Sequence, residues 1–519
     1  MGAARMIHLA PAQIAGFLAA CARVVGADNV VLPEEARDAY ADALAPRDPA
    51  TYAPQGAVAP ASTEEVQAIV RLAIEHKVPL WPISRGKNLG YGGAAPHLSA
   101  VVMLDLVRMK RILEVNVEMG YAVLEPGVSF DDLYHHLTSN NIPLWMSAAA
   151  HTWGSVVGNA LERGVGYTPY GEHASKVCGL EVVTGEGEML RTGMGALPGS
   201  KTWQLFPYGF GPAWDGAFMQ SNFGVVTKMG LWLMPQPEST LNLAVKLHAV
   251  DALPATIDAL RPLKLDRTIE ANPSIGNAIR GLATRGPRSA IYQGKGAMPP
   301  DVLENARKAA GIGHWSFSIR LFGDPRINAI QADKVRKALA AVPSAEIEQT
   351  EWHQGEPLAN SGHPVPTLGP LGVVDWLGGA GGHLTFSPVS AFSGAEAWKQ
   401  YTTIRAMYED AGFDYSGGFT AGQRYLNHIT MILFDRTDPE MMARANVLFD
   451  KMIAVAAANG WGEYRTHTLW YEDVAQTYSY NNNALQRWNQ RVKDAVDPHG
   501  IIAPGKMGIW PKAYREAGK

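Results

Sequence analysis

The chain has 519 residues, of which 47% are hydrophobic and 18% are charged, and its formal net charge is −4. This length and composition predict about two to four globular domains with a large core. The near-neutral charge without a long basic run argues against non-specific nucleic-acid binding, and the two cysteines, Cys21 and Cys178, exclude a disulfide scaffold or a multi-cysteine metal site.

The N-terminal segment is alanine-rich and starts with a basic residue, a pattern that a signal peptide shares with an amphipathic helix. Pro11 and Gln13 interrupt its apolar stretch, and the helical pattern continues through 23–26, so a first helix is favoured over a signal peptide. No run of about 18 apolar residues occurs, so the sequence predicts no transmembrane helix. We therefore expect a cytoplasmic protein.

The N-terminal half is predicted to mix helices and strands. Ser62 and Glu65 have capping-box spacing and begin one helix, and Ser129 and Asp132 begin another that ends near Leu137. The predicted strands of this half are 78–83, 101–106, 112–115, 121–124, 180–184 and 189–192. This is an α+β pattern with glycine-rich connections, not a regular βαβ alternation.

The pattern changes between Pro235 and Leu241, which predicts a domain boundary. Beyond it, long helical segments alternate with strands, as in a second α+β domain whose strands are covered by helices on one face. The predicted helices are 252–260, 300–310, 327–341, 395–411, 440–459 and 484–496, and the strands include 314–321 and 426–433.

Three glycine-rich segments, 84–93, 154–167 and 220–227, follow or separate the predicted strands. A glycine-rich loop after a strand exposes backbone N–H groups that can cradle a phosphate. The first segment has neither the Walker pattern nor G-x-G-x-x-G spacing, and no helix follows it. One such loop could be a tight turn, but three favour an extended ligand that several loops touch.

Together with the ending Ile501-Ile502-Ala503-Pro504-Gly505-Lys506, these segments resemble the vanillyl-alcohol oxidase/p-cresol methylhydroxylase family of flavoproteins, and within it the branch that oxidises 4-alkylphenols. The resemblance extends over nearly the whole chain. It implies an α+β, two-domain FAD-binding fold with an α+β cap domain. Residues 1–241, completed by 462–519, would form the FAD-binding domain, and residues 242–461 would form the substrate-binding cap.

The resemblance implies FAD as the cofactor, with loop 84–93 at its pyrophosphate and Lys506 beside the flavin pyrimidine ring. A positive charge at that ring would stabilise a reduced, anionic flavin. The residues implied to contact FAD are Ser84, Arg85, Gly86, Lys87, Asn88, Gly90, Ser155, Gly158, Glu162, Gly164, Tyr167, Gly224, Val225 and Lys506.

His383, within the segment 381–388, matches the histidine that oxidases of this family attach covalently to the flavin 8α-methyl group. The resemblance therefore implies that FAD is attached covalently through His383. The alternative is a histidine that is satisfied by hydrogen bonds beside a glycine-rich bend.

Tyr91, Tyr464 and Arg465 match the three residues that bind the phenol oxygen of the substrate in this family. A free phenol has a pKa near 10, so ionising it at pH 7 costs about 4 kcal/mol. A guanidinium and two phenolic donors in a dry pocket could supply that free energy. The phenolate would then expel hydride from the benzylic carbon toward flavin N5 and leave a p-quinone methide. Each of the three residues, taken alone, could instead have a structural role.

The sequence departs from its relatives where the oxidases carry an aspartate thought to act as a base, because Ala150 stands in that place. The adjacent His151 could replace it, since a free imidazole titrates near pH 6.5; an exposed loop histidine is the alternative. Ala150, Ser387 and Gly418 are expected to line the substrate pocket. The small residues at 148–150 and at 418 would admit a methoxylated ring or a longer alkyl chain.

The sequence thus predicts a flavin-dependent oxidase or dehydrogenase of small para-substituted phenols, with oxygen or a cytochrome as electron acceptor and a homodimer or higher homo-oligomer as its assembly. Three alternatives remain at this stage: a cytochrome-linked 4-alkylphenol hydroxylase subunit, a member of the same superfamily that oxidises hydroxy acids or sugars, and a flavin-binding protein without turnover. No metal site is predicted, because the fifteen histidines form no H-E-x-x-H motif.

Overall fold

Three main sheets, of four, five and eight strands, organise the chain. The computed structural model describes residues 9–48, 52–148, 151–358 and 365–516. The helices of these ranges are α1 Pro11–Val25, α2 Pro33–Ala39, α3 Thr63–His76, α4 Phe130–Ser139, α5 Val156–Leu161, α6 Leu253–Leu265, α7 Ala278–Ala283, α8 Pro300–Ala309, α9 Pro325–Leu339, α10 Gly394–Asp410, α11 Pro439–Ala458, α12 Tyr471–Thr477, α13 Tyr480–Val496 and α14 Lys512–Glu516.

The strands share the same ranges and carry most of the long-range pairing. They are β1 Val30–Val31, β2 Ala57–Val58, β3 Leu80–Ile83, β4 Val102–Asp105, β5 Ile112–Asn116, β6 Tyr121–Leu124, β7 Leu144–Trp145, β8 Val177–Thr184, β9 Met189–Arg191, β10 Gly224–Trp232, β11 Met234–Pro235, β12 Ser239–Leu247, β13 Ser274–Asn277, β14 Trp315–Gly323, β15 Ala345–His353, β16 Gly381–Phe386, β17 Val389–Ala391, β18 Ser416–Ala421 and β19 Tyr425–Asp435. The mixture of helices and sheets confirms the α+β class.

The four-stranded sheet has the order β1-β2-β4-β3, with β2, β4 and β3 parallel. Its last strand also pairs with the C-terminal segment: Leu80 N donates to Ile501 O at 2.8 Å, and Ala503 N donates to Leu80 O at 2.8 Å. The chain therefore returns to its N-terminal sheet after the cap region. This pairing supports the proposal that residues 462–519 complete the first domain.

The five-stranded antiparallel sheet has the order β5-β6-β10-β8-β9. Both helix starts predicted in this half are present. Ser62 Oγ accepts from Glu65 N at 3.2 Å at the start of α3, and Ser129 and Asp132 form a reciprocal capping box at the start of α4.

The eight-stranded sheet has the order β15-β12-β14-β13-β18-β19-β16, and β17 pairs with β19 beside this path. Helix α7 packs against part of one face, and helices that include α6, α9 and α10 cover the other. Strand β14 shows how: its odd-numbered residues from Trp315 to Leu321 are buried in the core that includes α6, α9 and α10. Its even-numbered residues Ser316, Ser318 and Arg320 face the other way, because side chains alternate along a strand.

Six strands of this sheet, β12, β13 and β15 to β18, were not among the predicted strands. β15 lies at the edge of the sheet, and most of its residues are exposed, among them three glutamates. Edge strands commonly carry charge that blocks further pairing, so their hydrophobic alternation is weak. Among the described helices, none is both long and apolar enough to cross a lipid bilayer.

Candidate active site and cofactor cleft

A long cleft brings the three glycine-rich segments together with the C-terminal segment 502–506. The pairing of the C-terminal segment with β3 places Lys506 there. The predicted cofactor residues that line the cleft are Ser84, Gly86, Lys87, Asn88, Ser155, Gly158, Glu162, Gly224, Val225 and Lys506, and His151 and Arg465 line it as well.

Two positions in the walls of this cleft must be glycine, because a side chain there would collide with its neighbours. Gly86 has a φ of +62°, and a Cβ at this position would lie 2.6 Å from the Cβ of Ala94. A Cβ on Gly158 would collide with the Ser84 hydroxyl. The cleft is thus a narrow cradle with hydroxyl, ammonium and amide donors at Ser84, Lys87 and Asn88, which fits the pyrophosphate of a dinucleotide such as FAD.

Some predicted cofactor residues hold the cradle and do not line it. Arg85 donates from Nε to Trp153 O and from Nη1 to Gly127 O, both at 2.9 Å, and so ties the first loop to its neighbours. Gly164 donates its N–H to Asn159 O at 2.8 Å and lies against that side chain. Their contacts are with the protein itself.

Lys506 and Glu162 form an ion pair of 2.6 Å within the cleft. The two residues are 344 positions apart in the chain, and both side chains are largely buried. Since the two charges balance each other, the pair adds little net charge to the cleft. It can still orient the polar edge of a bound ring through hydrogen bonds.

His383 lies on β16 and is fully buried. Burial lowers the pKa of its imidazole to about 4, so the ring is neutral near pH 7. Gly90 is packed against it: a Cβ there would lie 2.7 Å from His383 Cε1, which only glycine avoids. Asp42 and His467, whose side chains lie 2.8 Å apart, also affect the pKa of the His383 imidazole: Asp42 raises it and His467 lowers it.

The three predicted phenol-binding residues converge. The Arg465 guanidinium lies 4.3 Å from the centroid of the Tyr91 ring, and its Nη2 donates to Asn88 Oδ1. Tyr91 OH is 3.0 Å from Ser387 Oγ. Tyr464 is fully buried, and burial raises the pKa of its hydroxyl well above 10. Arg465 Nε is buried without a hydrogen-bond partner among the described residues, so the site has an unused donor.

Glu463 is a site residue that sequence reasoning missed. Its carboxyl is fully buried, its Oε1 accepts from Ser387 N at 3.3 Å, and its Oε2 has no partner in the described chain. Burial raises the pKa of this carboxyl well above its usual value and so favours its protonated form. Only its position beside Tyr464 could have indicated it, because nothing in the sequence distinguishes a buried glutamate from an exposed one.

His151 lines the cleft and is partly buried. Its Nδ1 accepts from Gly154 N at 3.1 Å, so the neutral ring carries its proton on Nε2 and its lone pair on Nδ1. Burial, and after it the positive charge of Arg465, lowers the pKa of this imidazole below 6.5. The ring is therefore neutral at pH 7 and can accept a proton. Its neighbour Ala150 lies outside the described residues.

The other two predicted pocket residues differ in their surroundings. Ser387 is buried and contacts Tyr91. Gly418 lies within β18, where a Cβ would collide with Ile275 O of the neighbouring strand β13. Close strand packing therefore requires this glycine, whatever the size of the pocket. The described residues contain no cluster of three or more His, Cys, Asp or Glu side chains that could hold a metal ion.

Two families match the chain: the FAD binding domain over residues 54–193 and the C-terminal domain of FAD linked oxidases over residues 368–507. Over 494 residues, the chain is 37% identical to the 4-cresol dehydrogenase [hydroxylating] flavoprotein subunit of Pseudomonas putida, with 94% of each protein covered. It is 36% identical to 1'-carboxy-chondrochloren decarboxylase of Chondromyces crocatus over 541 residues, with 96% of this chain and 98% of the relative covered.

A solved structure is also similar. A 4-ethylphenol oxidase from Gulosibacter chungangensis, in complex with isoeugenol, superimposes with a TM-score of 0.93 at 37% identity, and the match covers 97% of this chain and 99% of the other. The similarity therefore includes both the cofactor cleft and the cap.

Proposed function

Since this chain belongs to the vanillyl-alcohol oxidase/p-cresol methylhydroxylase family of FAD-linked oxidoreductases, we propose that it oxidises para-substituted phenols at the benzylic carbon. The substrates would be 4-alkylphenols and 4-hydroxybenzylic alcohols, including methoxylated ones. The observation that carries this proposal is the convergence of Arg465, Tyr91 and Tyr464 beside the cofactor cleft. Both the cresol dehydrogenase and the 4-ethylphenol oxidase act on phenols of this class by name.

The three residues bind the phenol oxygen and favour its ionised form. Ionisation at pH 7 costs about 4 kcal/mol for a phenol with a pKa near 10. The buried Arg465 guanidinium has an unused Nε donor, and the hydroxyls of Tyr91 and Tyr464 remain protonated and can donate. Charge-assisted hydrogen bonds in a site without bulk water supply free energy of this size. The phenolate that results pushes electron density through the ring toward the benzylic carbon.

The cleft holds FAD, and its residues divide the task of binding it. When bound, FAD supplies a hydride acceptor for the benzylic carbon. Ser84, Lys87 and Asn88 would donate to its pyrophosphate, and the Lys506–Glu162 pair would orient the polar edge of the flavin ring. His383 would hold the flavin covalently, because a neutral, buried imidazole can act as a nucleophile.

His151 acts as the base on the substrate side chain after hydride has left. Its neutral ring can take the proton of a water that adds to the p-quinone methide, or a proton from the side chain itself. It would thereby replace the aspartate that relatives carry at the position of Ala150. The electrons would pass to oxygen or to a cytochrome. The chain would assemble as a homodimer or higher homo-oligomer. Residues 1–241 and 462–519 would surround FAD, and residues 242–461 would form the cap.

Anaerobic reduction of the purified holoenzyme tests the proposal. Addition of 4-ethylphenol should bleach the flavin absorbance within one turnover, whereas 4-ethylanisole, which cannot ionise, should leave it oxidised. If a 2-hydroxy acid or a sugar bleaches the flavin and the phenol does not, the chain oxidises another substrate class. Oxygen uptake compared with reduction of a dye then separates an oxidase from a dehydrogenase.

A further inference from the structure

A second cavity, of about 800 Å³, lies on the face of the eight-stranded sheet opposite helices α6, α9 and α10. Strands β12, β13 and β14 form its floor, and α7 and the segment 365–370 form part of its wall. Four cationic side chains line it, namely Lys246, Arg280, Arg285 and Arg320, and no Asp or Glu is among its described lining residues. We call it the arginine cavity.

Three of these four cations have partners. Lys246 pairs with Glu346 at 3.3 Å and with Glu348 at 2.8 Å across the sheet. Arg280 Nη1 donates weakly to Ser274 Oγ at 3.4 Å, and Arg285 Nη1 donates to Ala310 O at 2.6 Å. Lys246 is therefore neutralised, while the two arginines are held by neutral oxygens.

Arg320 differs from all of them. Its guanidinium has no hydrogen bond and no ion pair with any described residue, and it is partly buried at the floor of the cavity. Burial lowers the pKa of this guanidinium, which shows that its charge is held at a cost. The ranges outside the described residues, 1–8, 49–51, 149–150, 359–364 and 517–519, contain no Asp or Glu side chain that could neutralise it.

The arginine cavity adjoins the phenol site. Tyr167 lines the cavity and interacts electrostatically both with Arg320 on one side and with Tyr464 of the phenol site on the other. Arg280 acts electrostatically on His383 of the cofactor site. Ala148, which precedes the segment of His151, also lines the cavity. The cavity therefore lies near the phenol site, with Tyr167 between Arg320 and Tyr464.

We propose that the arginine cavity binds a carboxylate at the end of the substrate's para side chain, with Arg320 as its partner. This inference rests on the proposed phenol oxidation and narrows its substrate class to phenolic acids, such as 3-(4-hydroxyphenyl)propanoate. This guanidinium is partly buried and forms no ion pair with a described residue, so the carboxylate of a ligand would supply the counter-charge. A carboxylate matches its planar fork of donors and carries the single charge required. Ser316 and Ser318, on the same face of β14, provide further hydroxyl donors.

The first test compares substrates on the wild-type holoenzyme. The acid 3-(4-hydroxyphenyl)propanoate should have a kcat/KM about 10- to 100-fold higher than its methyl ester, the range of one charge-assisted hydrogen-bonded pair. A series of phenolic acids with two to five side-chain carbons shows which chain length best places the carboxylate at Arg320. Equal kcat/KM for acid and ester would overturn the proposal.

The second test changes Arg320. Arg320→Met should lower kcat/KM for the acid by about 10- to 100-fold, mainly through a weaker KM, and should leave the methyl ester and 4-propylphenol within about threefold of wild type. Arg320→Lys, which keeps the charge, should restore part of the loss. Arg336→Met removes a guanidinium from α9 that bonds to Gln349, and it controls for the general loss of positive charge.

A binding measurement without turnover completes the test. Titration with trans-4-hydroxycinnamate, whose side chain has no saturated benzylic carbon, should perturb the flavin absorbance of the wild type and should require about 10- to 100-fold more ligand in Arg320→Met. If 4-propylphenol does not reduce the wild-type flavin, the proposed function itself is wrong. If 4-propylphenol does reduce the flavin, but acids bind no better than esters and Arg320→Met has no effect on the acid, only the carboxylate site is wrong.

Discussion

The guanidinium of Arg465 lies 4.3 Å from the centroid of the Tyr91 ring, although 374 residues separate the two in the chain. Asn88 Oδ1 accepts from Arg465 Nη2 and connects this pair to the glycine-rich loop of the cofactor cleft. Phenol binding and cofactor binding therefore share one hydrogen-bonded unit, and a change in one should be measurable in the other.

Replacement of Arg465 tests the role of this unit. Arg465→Ala should lower kcat by about 10³-fold or more with 4-ethylphenol, because the variant loses the charge that offsets about 4 kcal/mol of phenol ionisation. FAD should remain bound. Stopped-flow reduction of the flavin measures the step directly. Near-normal reduction would show that phenol ionises without this residue, and Arg424→Ala, another arginine of the cap region, serves as the control.

Removal of the His383 imidazole tests the covalent link. In the wild type, flavin should stay with the acid-precipitated protein, and in His383→Ala it should appear in the supernatant. The reason is that the buried neutral imidazole is the proposed nucleophile. His173→Ala removes another buried neutral histidine and should leave the link intact. Free flavin from the wild type would contradict the assignment.

The Glu463 carboxyl should be replaceable by its neutral isostere. Because burial raises the pKa of this carboxyl well above its usual value, burial favours the protonated form, which Gln imitates. Glu463→Gln should therefore keep kcat/KM within about threefold from pH 6 to pH 9. Glu463→Ala should lower the free energy of unfolding by about 1–3 kcal/mol, because Ser387 N loses its acceptor. A large loss in the Gln variant would show that the ionised form is needed.

The pH dependence of turnover should report His151. Its pKa lies below 6.5, so the neutral, proton-accepting ring persists at neutral pH and is lost as the pH falls through that lowered value. The acid limb of the kcat profile should disappear in His151→Asn, with kcat lowered about 10- to 100-fold. Flavin reduction, which precedes the proton transfer, should change much less. An unchanged acid limb would assign it to another group.

Acid stability should depend on His428. Burial lowers the pKa of this imidazole to about 3, whereas an unfolded histidine titrates near 6.5. The unfolded chain then binds one more proton between these values, so the stability that the neutral ring contributes is complete above pH 6.5 and is lost as the pH falls. His428→Gln should therefore reduce the slope of unfolding free energy with pH by up to about 1.4 kcal/mol per pH unit between pH 6 and pH 4.

Denaturant unfolding of the wild type and of His428→Gln at several pH values measures this difference in slope. His499→Gln changes an exposed histidine and should leave the slope as it is in the wild type. A slope that is the same in all three proteins would mean that His428 is protonated in the folded state, in conflict with its stacking on Phe419 in the core at 4.2 Å.

Local patterns predicted much of the fold. The capping residues Ser62 and Ser129 begin helices where they were expected, since a cap depends on residues three positions apart. The long helices α8 to α11 also agree closely, because their apolar faces repeat within a single segment. The edge strand β15 was missed, because most of its residues are exposed and it is defined by its pairing with β12, a distant part of the chain.

By itself, the sequence determined the glycine-rich cradle, the residues that match the phenol site, and the membership of a flavoprotein family, because each of these is written in short motifs. Only the tertiary structure decided that burial raises the pKa of the Glu463 carboxyl and that Arg320 lines a cavity without an ion pair to any described residue. Both properties depend on which distant groups surround a side chain after folding, since burial and the absence of a counter-charge are set by the packing of several segments. The sequence alone does not show whether a charged side chain contacts water, forms an ion pair or lines an open cavity.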